Sequence, residues 1–164
     1  MHESSFNTIK DFIQKFDVNE KLVILDVGSR AIEDDDVTFR SLMSENWRYI
    51  GVDVVAGKNV DMVAFDPYRY GIAGDAIDVI ITGSCLEHVP EPWRLIEEFY
   101  RILRPGGEIC ITAPSVGKIH CLPDFYRFKP DGMKYLLERA GFKNVTAYLN
   151  DNPKWLDCVG VAKK

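Results

Sequence analysis

Paired cysteines are missing from this sequence. Cys85, Cys110, Cys121 and Cys158 lie far apart, with no C-x-x-C spacing. That excludes the usual zinc and redox pairs and suits reduced thiols, two of which (Cys110 and Cys158) fall inside apolar runs, so a cytoplasmic location is expected. No apolar run approaches the roughly 18 residues a membrane span requires. The opening MHESSFNTIKDF has no basic start followed by an apolar block, so neither a membrane nor a secretory signal is expected. Basic charge is not in excess either. Lys and Arg number 20 against 25 Asp and Glu, a net charge of -5, and no nucleic-acid surface is indicated. Repeats, low-complexity tracts and linkers are absent. What remains is a chain of 164 residues, 46% hydrophobic and 27% charged, the composition of one ordinary globular domain spanning 1–164.

Short apolar runs alternate with amphipathic stretches, the pattern of a parallel sheet with crossover helices. Phe6, Ile9, Phe12, Ile13 and Phe16 recur at helical spacing and predict an N-terminal helix over 1–20. LVILDVG reads as a buried strand ending at Gly28. After it, Asp34, Asp35 and Asp36 read as a helix start, with Phe39, Leu42, Met43, Asn46 and Trp47 on its face. RYIGVDVV, VDMVAF and AIDVIITGS predict strands two to four. A helix is expected from Pro92 to Leu103, ended by the turn Arg104-Pro105-Gly106-Gly107. EICITAP is the fifth strand, followed by an aromatic loop over 115–129 and a helix from Pro130 to Gly141. KNVTAYL and LDCVGVA close the chain. The few residues between them exclude a parallel crossover, so they must pair antiparallel.

In such sheets ligands sit beyond the carboxyl ends of the strands, near the switch in strand order. Gly28 closes the first strand and allows close approach to the backbone. No further glycine follows until Gly51, so the G-x-G-x-x-G phosphate cradle is missing. Asp53, at the end of the second strand, can accept both hydroxyl protons of a ribose and repels a phosphorylated one. Asp66 can accept from an adenine amino group, with Pro67 and Tyr68 covering the ring. Glu87 and His88 follow the fourth strand and His120 follows the fifth, so both imidazoles open on one face. A neutral imidazole there can take a proton from a hydroxyl or amine. Glu87, His88 and His120 also offer oxygen and nitrogen donors to an ion. No metal is expected.

The segments VILDVGS, YIGVDVVAGKNVD, FDPY, IDVIITGSCLEHVPEPWRLIEEFYRILRPGG and DFYRFKPDGMKYLLERAGF together resemble class I S-adenosylmethionine-dependent methyltransferases of the methyltransferase-11 type, from about Val23 to Phe142. EHVPEPWRLIEEFYRILRPGG is the most specific of them. The resemblance implies a Rossmann-like, seven-stranded, mostly parallel sheet with an antiparallel C-terminal hairpin strand and helices on both faces. It implies S-adenosylmethionine as cofactor, held by Asp26, Gly28, Ser29, Asp53, Val54, Asp66, Pro67, Ser84 and Cys85. One departure is that Ser29, Arg30 and Ala31 stand where most members carry further glycines.

The expected reaction is transfer of the sulfonium methyl to an oxygen or nitrogen nucleophile, with His88 and His120 as candidate catalytic bases. Because the sulfonium is already a good electrophile, the protein mainly positions the reactants and excludes water, and no catalytic triad is needed. The acceptor itself is not encoded. No inserted cap domain follows the fifth strand, and an open site suits a bulky acceptor or one completed by a second copy in a homodimer. His120, Phe125, Tyr126, Arg127 and Phe128 are the candidates for lining or covering it. Two alternatives stand beside this reading: a non-catalytic cofactor- or partner-binding module on the same fold, and a NAD-dependent oxidoreductase, which shares Asp53 but needs the missing glycines.

Overall fold

Burial on both faces is what makes the central strands parallel and almost wholly apolar. β1 (Val23–Val27) sends Ile24 to one side and Leu25 to the other, and neither is exposed. The same alternation recurs in β4 (Ile77–Gly83) and β5 (Leu103–Ala113). With β2 (Arg48–Asp53), β3 (Met62–Val63), β6 (Lys143–Leu149) and β7 (Cys158–Lys163) they form one sheet in the order β3-β2-β1-β4-β5-β7-β6. β1 to β5 pair in parallel, and β7 lies antiparallel between β5 and β6. The computed structural model describes residues 3–32, 37–151 and 154–164.

Helices cover both faces. On one, α1 (Glu3–Ile13) buries Ile9, Phe12 and Ile13 with Phe39 and Trp47 against Ile24, Val79, Ile81 and Cys110. On the other, α2 (Pro92–Ile102) and α3 (Pro130–Ala140) bury Leu95, Ile96, Phe99, Met133 and Leu137 against Leu25, Ile80, Ile109 and Ile111. α3 stops at Gly141, whose φ of 111° lets its N–H turn back to the carbonyls of Leu137 and Glu138.

The structure departs from the sequence reading in three places. α1 ends at Ile13, not within the turn near residue 20, because an Asx turn at Asp17 takes the Asn19 amide. Phe16 still packs on the same cluster. Among its described residues, the amphipathic stretch before β2 forms a 3-10 turn, Phe39–Leu42, and no longer helix. Its polar side chains bond locally and across to the loop after α1: Ser41 Oγ donates to the Thr38 carbonyl, and Ser44 Oγ and Asn46 Nδ2 both donate to the Val18 carbonyl. Asp34, Asp35 and Asp36 lie outside the described residues. Finally, the stretch from Arg104 to Gly107 is an irregularity inside β5, not a turn before it: Ile77 lies opposite Leu103, while Val79 lies opposite Glu108.

Candidate active site

β1 and β4 are neighbours in the sheet, but one chain continues toward β2 and the other toward β5. Their carboxyl ends therefore part and leave a crevice. Two cavities open there, of about 570 and about 500 Å³, sharing Gly28, Arg30, Ile32 and Ser84. The larger is lined by Asp53, Val54, Pro67 and Cys85 of the expected cofactor residues, and by His88 and His120. Asp26 and Ser29 line the smaller. Asp66 lines neither. It is exposed, and its Oδ1 accepts the Tyr68 amide at 2.8 Å.

Gly28 has φ 76°, and a Cβ placed on it would lie 2.8 Å from both Cβ and Sγ of Cys85. Both the position's conformation and its space therefore require glycine. The amides of Gly28 and Ser29 both donate to the Val52 carbonyl, at 2.9 and 3.1 Å. Neither is left to cradle a phosphate at this turn. Asp53 accepts the Val55 amide on Oδ1 at 3.0 Å and the Arg30 amide on Oδ2 at 3.1 Å. Each oxygen keeps a lone pair for a diol.

Asp26 is buried, and its Oδ2 accepts from the Tyr49 hydroxyl, which in turn accepts from Asn59 Nδ2 at 2.9 Å. Sequence reasoning missed Tyr49 and Asn59. The signal was Gly51 in mid-strand, since a Cβ there would sit 2.1 Å from the Asn59 carbonyl oxygen. Burial pushes the Asp26 carboxyl up to about 7, against the pull of the Tyr49 bond. The folded chain thus keeps a proton that the unfolded chain releases near pH 4. Stability from this group is full below that pH and is lost as pH rises through about 7. Asp26→Asn is expected to remove a slope of up to about 1.4 kcal/mol per pH unit between pH 5 and 7. Urea unfolding of both proteins at several pH values measures it, and parallel stability profiles would contradict this assignment.

At the far wall of the larger cavity, the 3-10 turn Leu86–His88 holds Glu87 with no solvent exposure. Burial pushes its carboxyl up to about 7. Its Oε1 lies 3.6 Å from His88 Nε2 and 3.8 Å from His120 Nε2, and the two imidazole rings meet edge-on at 5.3 Å. The structure thus brings both expected histidines together. His120 also packs against Trp155, at 4.9 Å between rings, a neighbour that sequence reasoning did not single out.

The 115–129 loop is pinned: the Phe125 amide donates to the Glu87 carbonyl, the Tyr126 hydroxyl to Pro90 and the Phe128 amide to Pro114. Phe128 belongs to the core and Tyr126 packs on it, so the wall is made instead by Cys121, Leu122 and Pro123. Phe125, Tyr126, Arg127 and Phe128 do not line the cavity. Tyr70 and Leu95 complete the lining from below.

Comparison with known proteins finds methyltransferases. The family described as Methyltransferase domain matches residues 36–111. Arsenite methyltransferase of Halobacterium salinarum is 28% identical over 147 residues, covering 74% of this chain and 37% of that protein. The chain therefore spans little more than a third of that relative's length. A SAM-dependent methyltransferase from Archaeoglobus fulgidus superposes with a TM-score of 0.72 at 17% identity, covering 97% of this chain and 94% of the other. The 1,6-didemethyltoxoflavin-N1-methyltransferase of Burkholderia thailandensis, solved with its substrate and S-adenosylhomocysteine, gives 0.76 at 19%, covering 99% and 79%. The chain has the Rossmann-like fold of these solved methyltransferases, and its residues 36–111 resemble the methyltransferase-domain family. Among the described residues, no helix is long and apolar enough to cross a membrane.

Proposed function

We propose that this domain binds S-adenosylmethionine in the larger cavity and transfers its methyl to an acceptor held against Glu87, His88 and His120. The observation that carries the reading is that one cavity joins the Gly28 turn and Asp53 to the two imidazoles. Asp53 holds the ribose, Val54 and Pro67 flank the adenine, and the closely packed Gly28–Cys85 contact forms the floor beside the methionine portion. Ser84 faces the same end. Its Oγ is buried with no hydrogen-bond partner among the described residues, a donor ready for the cofactor's polar tail. Asp26 and Ser29 act at one remove, by fixing the turn through Tyr49 and Asn59. His88 and His120 activate the acceptor. Leu122, 82% exposed at the rim, suits an acceptor with an apolar portion that extends beyond the cavity.

Methyl transfer from labelled S-adenosylmethionine into an extract of small molecules tests this. Label is expected in an organic product with the wild-type chain and not with Asp53→Ala. Binding of S-adenosylmethionine with no labelled product and no S-adenosylhomocysteine formed in any extract would favour the non-catalytic binding module.

A further inference from the structure

Three donor groups, His88 and His120 in the cavity wall and Glu87 buried behind them, converge, with one ligand atom from each lying within 4.8 Å of the others. Both oxygens of Glu87 are buried and lack a hydrogen-bond partner among the described residues. A fully buried carboxylate in that condition is costly unless something else satisfies it. The histidines show what that is. His88 Nδ1 lies 2.6 Å from the Pro123 carbonyl oxygen, which can only accept, so the ring proton sits on Nδ1 and Nε2 keeps its lone pair. His120 repeats the arrangement with a carboxylate: its Nδ1 lies 3.3 Å from Asp124 Oδ2, and its Nε2 faces Glu87. Asp124 is fixed as an anion by Arg127, whose guanidinium takes both of its oxygens. That hydrogen bond, against the opposing effect of burial, holds the Asp124 carboxyl well below the usual range.

We propose that Glu87, His88 and His120 form a divalent-metal site open to the cavity. An outer acceptor on Nδ1 that leaves Nε2 pointing inward, as the Pro123 carbonyl is for His88 and as the nearby Asp124 carboxylate can be for His120, is how metal-binding histidines are oriented. Metal–ligand bonds of about 2.0–2.1 Å put donors on a tetrahedral ion about 3.3 Å apart. The separations of 3.6 and 3.8 Å from Glu87 need only a small inward movement. Two imidazoles and one carboxylate favour zinc or a similar transition ion over magnesium, which prefers oxygen. The imidazole side chains are 24% and 22% exposed and Glu87 is not, so the ion's open position faces the cavity.

The ion site stands without the methyl-transfer reading, but its use in chemistry rests on that reading. An acceptor hydroxyl bound at the open position loses its proton more readily, and the proton passes to solvent. The oxygen then forms a bond to the methyl carbon as the carbon–sulfur bond breaks. That electron pair stays on sulfur and leaves the neutral thioether, S-adenosylhomocysteine. The acceptor class is therefore a hydroxyl compound.

The test titrates the chelator-treated full chain with Co2+, followed by visible absorption, and then displaces it with Zn2+. One equivalent of Co2+ with the absorption of a low-coordinate nitrogen–oxygen site is expected, and Mg2+ should not displace it. Glu87→Gln, His88→Gln and His120→Gln should each weaken binding at least about 10-fold, and Asp124→Asn about 10–100-fold. Cys121→Ser, on the exposed thiol beside His120, should leave affinity unchanged. No cobalt spectrum, or the same affinity in the glutamate and histidine variants that fold, would overturn the site. His88→Gln, in a partly exposed ring, is the variant that decides if Glu87→Gln does not fold. S-adenosylhomocysteine titrated calorimetrically in chelator separates the two ideas: its heat survives if only the metal site is wrong, and the cobalt signal survives if only the cofactor reading is wrong.

Discussion

Gly28→Val is expected to abolish S-adenosylmethionine binding, a loss of more than 100-fold. Two costs act together. A β-branched residue at φ 76° carries roughly 1–3 kcal/mol of backbone strain. Its Cβ also comes within 2.8 Å of Cys85, with two methyl groups still to place. Either the turn opens, breaking the amide bonds of Gly28 and Ser29 to Val52, or Cys85 moves into the cavity it lines. Both remove the floor on which the cofactor rests. The core strands keep their own packing, so the variant should retain its circular dichroism and unfold cooperatively. Calorimetric titration of that folded variant measures the effect, and an unchanged dissociation constant would remove this turn from the site.

Asp53→Ala comes next in size. Charged hydrogen bonds of about 1.5–3 kcal/mol correspond to about 10–150-fold in the dissociation constant. The Arg30 and Val55 amides also lose their acceptor, so part of the effect is a looser wall around the ribose. Asp53→Asn separates the two contributions. It keeps one side-chain oxygen for an amide but cannot accept from both hydroxyls of a diol, so most of the loss should remain. Recovery of full affinity in Asp53→Asn would mean that the residue only shapes the loop.

The sheet was legible because its strands are written in period and length. Ile24, Leu25, Val79, Ile80, Ile81, Ile109 and Ile111 leave no polar face for solvent, and the short link before β7 forces antiparallel pairing. Gly28 and Asp53 were legible for the same reason, since each closes such a strand. What the sequence hid was local competition and distant approach. Ser44 and Asn46 reach the Val18 carbonyl and take a helical pattern out of the helix. Asp66 follows β3 as Asp53 closes β2, and each accepts the amide two residues on, yet of the two Asp53 lines the larger cavity. Tyr49 and Asn59 meet Asp26 only once the strands are side by side. The two histidines were placed on one face from their positions alone. Their outer partners, Pro123 and Asp124, belong to a loop whose path no periodicity specifies.

The central claim is that the cavity takes S-adenosylmethionine. Calorimetric titration of the wild-type chain with S-adenosylmethionine, S-adenosylhomocysteine and NAD tests it most directly. Because Asp53 can take an unphosphorylated ribose while the Gly28 and Ser29 amides are spent on Val52 and not left for a pyrophosphate, one molecule of either sulfur compound should bind per chain and NAD should give no heat. Saturable binding of NAD, or no binding of either sulfur compound to the folded chain, would contradict the account.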